Sequence, residues 1–593
     1  MFNYLIFIIL FISFVSAAEE ERSVELDIGV VHGEKYWNGD YFEFYGIPYA
    51  TAPKGRDKYK APLPVEPFGN LGANKKDIKC PQVYLLDEDD DDVILDGVED
   101  CLTMNIFVPE DASEKNLLPV LVYIHSGSYS GGHGNMGRLH YLTRHDVVTI
   151  NFNYRLGFLG FACLGTEGIP GNAGLKDQVA ALKFIQKYIS KFGGDPNQVT
   201  LAGYSVGAVM AELHTLSKAA TGLFNKLILE SASALTPFAI NRHPIETARN
   251  LATSIGFKNT GNIKDLTEFL LTADMKDLAY KSKNFFLTNS TLGLAPCVES
   301  VIEGVEPFLT ESPLTILHKG DYKQIPILTG FSNMEGISRT YKVSEWSKKM
   351  NENFAGFLPA DLKFDKDASR DDLIKDIKKI YFKDEVISRD TLKEYVDYFS
   401  DSMFKYGIMK SAKLHSLKSS HPVFLYEFAY VGNLNMKHDH MDKLKGATHR
   451  DQTAYVLDFF DSTNSMLDMN TRDRLTTMWT DFVKYGNPTA YESVLFDIKW
   501  SKYTTKDQNY LRIGRNLEMK KDLFEKRYAF WNKVYDKYYW TPTPVVAPKI
   551  FAFIPPDRHN CFVTNCLSKT KIHLCIISLE QNRGASIFQR QTV

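Results

Sequence analysis

The sequence predicts an α/β protein with a large central, mostly parallel and twisted β-sheet, helices on both faces and helical insertions. Two observations support this prediction. Apolar strands alternate with helical segments between residues 103 and 210, an order that is typical of parallel strand pairing. The strand Leu118–Ile124 is apolar along its whole length, as expected when both faces of a strand are covered.

Composition places the chain among ordinary globular proteins. Its 593 residues are 44% apolar and 24% charged, which leaves enough apolar material for a large core. The net charge of −3 and the lack of a basic patch in the sequence argue against nucleic acid as a partner.

Residues 1–18 are predicted to be a secretory signal peptide. An apolar run from Leu5 to Val15 precedes small residues, and cleavage is expected after Ala17 or Ala18. No Lys or Arg stands before the run, so an uncleaved N-terminal anchor is the alternative. Because no later segment is apolar for the length of a membrane helix, we expect a secreted chain without stable membrane association.

A secreted protein can form disulfides, and this chain has seven cysteines, an odd number. Parity leaves the pairing open, although a bridge between Cys80 and Cys101 would close a loop of about 20 residues. The other cysteines are Cys163, Cys297, Cys561, Cys566 and Cys575. One glycosylation sequon, at Asn289, indicates a surface loop.

The predicted elements begin with Val24–Tyr49, where short strands and turns indicate a β-meander at the sheet edge. The acidic run Asp87–Asp92 predicts a solvated loop, with a cation-binding loop as the alternative. Thr103–Val108 and Leu118–Ile124 are strands. The Gly- and Ser-rich segment His125–Gly132 then follows a strand end, where it is either a plain flexible loop or a cradle of exposed backbone N–H groups.

The strand Val147–Asn153 leads to a helix with apolar positions spaced from Leu175 to Ile189, and the strand Val199–Ala202 follows. The remaining prediction comprises the strands Lys226–Leu229, Ile325–Phe331 and Pro422–Phe428 and the mainly helical stretches 240–300 and 342–418. We expect the stretch 342–418 to be an insertion that covers part of the sheet.

The segment G-Y-S-V-G, from Gly203 to Gly207, stands between a strand and a helix start. In that setting it predicts a nucleophile elbow, a strained turn that presents one serine at the end of a sheet. Ser205 then needs a base, and the base needs a carboxylate. In chains with such an elbow, the carboxylate residue comes after the serine and the histidine comes after the carboxylate residue. Glu335 and His449 satisfy this order.

Seven short sequence motifs occur along the chain in this order: G-I-P-Y-A, E-D-C-L-T-M-N-I, N-Y-R-L-G-F-L-G-F, P-G-N-A-G-L-K-D-Q, F-G-G-D-P-N-Q-V-T-L-A-G-Y-S-V-G, N-M-E-G and G-A-T-H. In these motifs and their order, the chain resembles the type-B carboxylesterase and cholinesterase family of α/β-hydrolases from about residue 24 to residue 540. The resemblance implies an α/β-hydrolase domain over 19–540 and a serine esterase that requires no metal or cofactor. The proline-containing linker and tail, 541–593, resemble nothing in the family.

By this resemblance, Ser205 is the nucleophile, His449 is the general base and then the acid, and Glu335 is the carboxylate that orients the histidine. The implied oxyanion hole consists of the backbone N–H groups of Gly127, Ser128 and Val206. Ser231 matches a serine that lies next to the triad. The resemblance also implies a disulfide between Cys80 and Cys101.

Three departures from the family pattern bear on the site. The loop reads His125-Ser126-Gly127-Ser128 instead of H-G-G-G, and the Cβ of Ser128 restricts the backbone that must aim its N–H. Tyr204 stands where the family usually has Glu before the nucleophile. No tryptophan lies between Cys80 and Cys101, where cholinesterases stack a quaternary ammonium, so a choline ester is not the expected substrate.

The H-S-G-x loop and the G-Y-S-V-G elbow are most similar to those of insect esterases, including moth antennal and digestive enzymes. This likeness implies an uncharged lipophilic ester as the substrate, whether an odorant, a dietary ester or a xenobiotic. The alternatives are a slow esterase that sequesters its ligand and an adhesion-type member without activity. The complete set of triad residues favours the enzyme, and the oligomeric state stays open.

Overall fold

The computed structural model describes residues 20–37, 39–85, 93–282, 287–437, 444–459 and 463–545. The predicted signal peptide, the acidic run Asp87–Asp92 and the tail beyond residue 545 lie outside the described residues. The strands are β1 (Glu21–Leu26), β2 (Gly29–Lys35), β3 (Tyr41–Pro48), β4 (Gly69–Gly72), β5 (Gln82–Leu85), β6 (Val93–Asp96), β7 (Thr103–Pro109), β8 (Leu118–Ile124), β9 (Val148–Phe152), β10 (Gly194–Tyr204), β11 (Lys226–Glu230), β12 (Ile327–Ser332), β13 (Val423–Phe428), β14 (Asn509–Ile513) and β15 (Leu517–Lys521).

One large sheet runs in the order β1-β2-β3-β7-β9-β8-β10-β11-β12-β13-β14-β15, with β4 beside β2, while β5 and β6 form a separate pair. Neighbouring strands from β9 to β14 are parallel. The other pairs along this order are antiparallel, whereas β4 pairs with β2 in parallel, and β1, β2 and β3 form the expected meander. The predicted α/β class, with its parallel central strands, is confirmed.

Helices lie between the strands and in two insertions. They are α1 (His140–Thr143), α2 (Gly157–Phe161), α3 (Ala173–Tyr188), α4 (Val206–Leu216), α5 (Pro244–Ser254), α6 (Ile263–Thr272), α7 (Met275–Lys281), α8 (Pro313–Lys319), α9 (Val343–Glu352), α10 (Asp367–Ile377), α11 (Leu392–Ser400), α12 (Tyr406–Lys418), α13 (Thr453–Val456), α14 (Met466–Tyr485) and α15 (Glu525–Tyr538). None of the described helices combines the length and the apolar character that crossing a membrane requires.

The central strands are covered on both faces because their side chains alternate between two cores. In β8, Val120 and Val122 belong to the core that α3 and α4 share. Leu121 and Tyr123 belong to the core on the opposite face, which α14 completes. The apolar run of β8 therefore has the double burial that the sequence predicts.

The insertion at 342–418 is helical, as predicted, and α11 continues into α12 through a π-helical turn at Asp401–Lys405. The stretch 240–300 is helical only as far as Lys281. From residue 287 to α8 the described chain has no helix, in line with the prolines and glycines there, Gly293, Pro296, Gly304 and Pro307, which disfavour helical structure.

Candidate active site

The elbow lies between β10 and α4, and Ser205 occupies the turn with φ 53° and ψ −125°. Such a backbone conformation is strained for a residue with a side chain. A Cβ on Gly203 would lie 2.4 Å from the carbonyl carbon of Gly207. A Cβ on Gly207 would lie 2.3 Å from the backbone oxygen of Ile124 in β8. Both glycines are therefore needed for the strand, turn and helix to approach each other.

Gly207→Ala is expected to destabilise the fold by about 3 kcal/mol and to lower activity, because the new methyl group collides with the β8 backbone rather than with a movable side chain. Thermal unfolding and ester hydrolysis measure the two effects. Gly356→Ala is the matched control, since nothing lies within 4 Å of its added Cβ. Equal melting temperatures for the two variants would contradict the tight packing of the elbow.

A continuous chain of hydrogen bonds joins Ser205, His449 and Glu335. The Ser205 Oγ lies 2.9 Å from His449 Nε2, and His449 Nδ1 lies 2.7 Å from Glu335 Oε2. Glu335 is completely buried, and the other two side chains are more than nine-tenths buried. The sequence-predicted triad residues thus lie together, in an arrangement that can transfer a proton from the serine to the histidine.

Two donors hold the second oxygen of the Glu335 carboxylate, Oε1. The Ser231 hydroxyl donates to it at 2.6 Å, and the Ser332 backbone N–H donates at 2.7 Å. Ser332 is the last residue of β12, and Ser231 directly follows β11. Two adjacent strand ends therefore fix the carboxylate, and Ser231 supplies one of its two donors.

The loop Gly446–Asp451, here called the histidine loop, presents His449. Asn333, directly after β12, accepts the Ala447 N–H through its side-chain oxygen at 2.8 Å. Asp451 accepts the Thr448 N–H at 2.7 Å. Burial raises the pKa of Asp451 to about 6, although the N–H groups that it accepts oppose this shift. The loop is thus held both to the β12 end and to itself.

Two aromatic rings lie close to the imidazole of His449. The Tyr204 ring centroid is 5.0 Å away, and the Phe404 ring centroid is 4.6 Å away. Phe404 belongs to the π-helical turn between α11 and α12. Sequence reasoning identified Tyr204 from its place in the elbow but missed Phe404, because no local pattern places one aromatic residue of a helical insertion against the histidine.

The three residues implied to form the oxyanion hole lie at two backbone turns. Gly127 has φ 128° and Ser128 has φ 52°, and a Cβ on Gly127 would lie 2.0 Å from the Gly131 backbone oxygen. Val206 is the first residue of α4, where backbone N–H groups lack partners within the helix. The positive φ of Ser128 shows that this residue adopts a left-handed backbone conformation although it has a Cβ.

His125, at the start of the same loop, is buried and stacks on Tyr154 with ring centroids 4.4 Å apart. Burial lowers the pKa of His125 to about 3, so the ring is neutral. Its Nδ1 lies 2.8 Å from the Ser126 backbone oxygen. These contacts fix the position of His125 at the start of the loop.

Two disulfides lie outside this site. Cys80 pairs with Cys101, the bridge that the resemblance implies, and Cys163 pairs with Cys297, 134 residues later. The sequon residue Asn289 is half-buried, and its side-chain oxygen is enclosed without a partner among the described residues. Glycosylation of Asn289 stays a prediction.

Comparison with known proteins agrees with these observations. A family model described as Carboxylesterase family matches residues 20–531. Esterase FE4 of Myzus persicae is 33% identical over 517 residues, which cover 84% of this chain and 90% of that protein. The crystal structure of juvenile hormone esterase from Manduca sexta, with OTFP covalently attached, has a TM-score of 0.75 at 28% identity, and the match covers 87% of this chain and all of that one.

A relative that is not named as an esterase also matches. Neuroligin-3 of Mus musculus is 27% identical over 601 residues, which cover 89% of this chain and 70% of that protein. The match extends over most of this chain, so the family also includes a relative whose name does not state ester hydrolysis.

Proposed function

This chain belongs to the carboxylesterase family of α/β-hydrolases, and we propose that it hydrolyses uncharged lipophilic esters through an acyl-enzyme on Ser205. The observation that carries the proposal is the hydrogen-bond chain from Ser205 through His449 to Glu335. Ester hydrolysis as such follows from the family and from relatives named as esterases. The roles of individual residues and the substrate class are what we propose.

The proposed reaction begins when the Ser205 oxygen attacks the ester carbonyl carbon and His449 Nε2 takes the serine proton. The negative charge on the carbonyl oxygen is stabilised by the backbone N–H groups of Gly127, Ser128 and Val206. The carbon–oxygen bond to the alcohol then breaks, and the imidazolium of His449 protonates the departing alcohol. The acyl group stays on Ser205 as an ester.

Water completes the cycle. His449 takes a proton from a water molecule, whose oxygen attacks the acyl carbon. When the bond to Ser205 breaks, the serine oxygen regains its proton from His449 and the carboxylic acid leaves. Throughout, Glu335 accepts a hydrogen bond from His449 Nδ1, which keeps Nε2 in the form that can accept a proton.

The proposed substrate class rests on the surroundings of His449. Aromatic rings of Tyr204 and Phe404 flank the imidazole, so apolar surface borders the reacting atoms. The residue before the nucleophile is a tyrosine, whereas the family usually has a glutamate there, so a cation would find no carboxylate at that position. We therefore infer an uncharged ester and not a choline ester. We also propose secretion after cleavage of residues 1–18.

The alternative is an esterase-like protein that binds its ligand without efficient turnover, in line with the relative named neuroligin-3. In such a protein, acylation of Ser205 would stop at the acyl-enzyme, or would not occur. The complete triad and its buried geometry favour catalysis.

A panel of esters tests the proposal. The purified mature chain is expected to release one equivalent of p-nitrophenol from p-nitrophenyl butyrate in a burst, followed by steady turnover, because we expect this activated ester to acylate Ser205 faster than the acyl-enzyme hydrolyses. Butyrylthiocholine is expected to give a kcat/KM at least about tenfold lower than an uncharged thioester of the same acyl group, for want of a cation site.

Each other outcome identifies a different failure. A burst without turnover would support the sequestering alternative, and no release of p-nitrophenol above the uncatalysed rate would support a protein without activity. A choline ester that matches or exceeds the uncharged thioester would overturn the substrate class while leaving the mechanism intact.

A further inference from the structure

Glu230, the last residue of β11, is linked to all three segments that carry the proposed triad. Its backbone oxygen accepts the N–H of Ser205 at 2.8 Å. Its neighbour Ser231 donates a hydrogen bond to Glu335 at 2.6 Å. Its side-chain Oε1 accepts the hydroxyl of Thr453, on the segment that follows the histidine loop. Nothing in the family resemblance gives Glu230 a role.

The Glu230 carboxyl group is completely buried, and its second oxygen has no hydrogen-bond partner among the described residues. The titratable groups that interact electrostatically with it are Tyr123 of β8, Tyr204 of β10, Tyr426 of β13 and Glu335 after β12. The cation of Arg450, in the histidine loop, acts on Tyr123 and Tyr204. An ionised Glu230 would therefore be a second buried anion beside Glu335, without a cation paired to it in the described part of the chain.

Geometry and charge together favour a neutral carboxylic acid. Burial, and to a smaller extent the charge of Glu335, raise the pKa of Glu230 to about 8, whereas the hydrogen bond from Thr453 lowers it. A neutral carboxyl group has an O–H that can donate to an enclosed oxygen. The hydroxyl oxygen of Tyr123, whose titration the charge of Glu230 influences, is buried without a partner among the described residues.

We propose that Glu230 is a positioning residue of the triad, which as an uncharged carboxylic acid bridges β11 and the segment directly after the histidine loop. The proposal rests on the proposed function, since it concerns the geometry of the same triad. Ionisation of Glu230 would set two carboxylates against each other and disturb the strand end from which Ser231 holds Glu335. Turnover should therefore fall as the pH rises through the ionisation of Glu230, while KM changes little.

Three variants test this bridge in steady-state kinetics on p-nitrophenyl butyrate from pH 6 to pH 10. Glu230→Leu is expected to lower kcat at pH 7 by about tenfold or more, because small displacements of a triad are costly. Glu230→Gln, which keeps the acceptor for Thr453 and cannot ionise, should recover most of that loss and abolish the fall in kcat near pH 8. Thr453→Val removes a hydrogen bond that favours ionisation, so it should move the fall to higher pH.

Thermal unfolding gives a second readout. Since the pKa of Glu230 in the folded protein, about 8, exceeds its ordinary value of 4.5, the folded state binds more protons between these values. Raising the pH through this window lowers wild-type stability, and the loss is complete above about pH 8. Glu230→Gln should therefore raise the melting temperature relative to wild type more at pH 9 than at pH 5.

Glu427→Gln, on β13, which β12 separates from β11, is the matched control and should reproduce the wild-type pH profile. The inference is overturned if Glu230→Gln keeps the wild-type fall in kcat near pH 8, or if Glu230→Leu matches wild type at pH 7. Failure of the proposed function is recognised separately, because the wild type would then release no p-nitrophenol above the uncatalysed rate at any pH.

Discussion

Replacing Ser205 with alanine is expected to reduce kcat by about five to six orders of magnitude, the loss typical of removing a serine nucleophile. The physical reason is that no other hydroxyl lies in hydrogen-bond contact with His449 Nε2 among the described residues. The oxyanion hole and substrate binding would still leave a rate above that of water. Burst kinetics and the intact mass of the acylated protein measure the effect.

Ser347→Ala is the control for this variant. Ser347 is also a buried serine, but it belongs to α9 in the helical insertion. This variant should retain the wild-type burst and turnover. If Ser205→Ala still formed a covalent acyl adduct at the wild-type rate, the nucleophile would have to be another residue.

Much of the fold was predictable because it depends on information that is local in the sequence. The apolar run of β8 predicts Leu118–Ile124, and the structure has that strand with the same bounds. The helical spacing that starts at Leu175 belongs to α3, which begins two residues earlier. Buried parallel strands and amphipathic helices each carry their own periodic signal, so their order along the chain is enough to indicate the α/β class.

Features that depend on distant contacts were not predictable in the same way. Cys163 and Cys297 are 134 residues apart in sequence, and parity alone did not pair them. Phe404 reaches His449 from an insertion whose amphipathic pattern predicts helices but not their docking. Glu230 is one acidic residue among many until the sheet register places it beside Tyr204. In each case the tertiary packing supplies the information.

Three serines of the site have strained backbone conformations. Ser128, Ser205 and Ser231 have φ values of 52°, 53° and 57°, in a region that residues with a Cβ rarely adopt. Each such residue costs about 1–3 kcal/mol unless its surroundings compensate. All three are placed at turns beside the reacting serine or its partners. The flanking glycines of Ser205 indicate a strained turn from the sequence alone, whereas no neighbouring glycine indicates the strain at Ser231.

Replacing Glu335 with glutamine is expected to lower kcat by about four orders of magnitude at neutral pH while the protein stays folded. Ser231 and the Ser332 N–H donate to Oε1, so the glutamine oxygen must take that position. Its NH₂ group then faces His449 Nδ1, which can only accept a hydrogen bond as the other tautomer. Nε2 would carry the proton and face Ser205, so the base would be lost.

Steady-state kinetics and thermal unfolding distinguish this tautomer effect from general damage. Glu335→Gln should keep a melting temperature near that of wild type, because its size and its two donors are unchanged. Glu335→Asp is the matched comparison: it remains an acceptor for His449 but is one methylene shorter, so it should lose less activity than the glutamine variant. A glutamine variant within tenfold of wild type would assign the role of Glu335 to another carboxylate. A glutamine variant that is more active than the aspartate variant would show that distance, and not the tautomer of His449, limits the reaction.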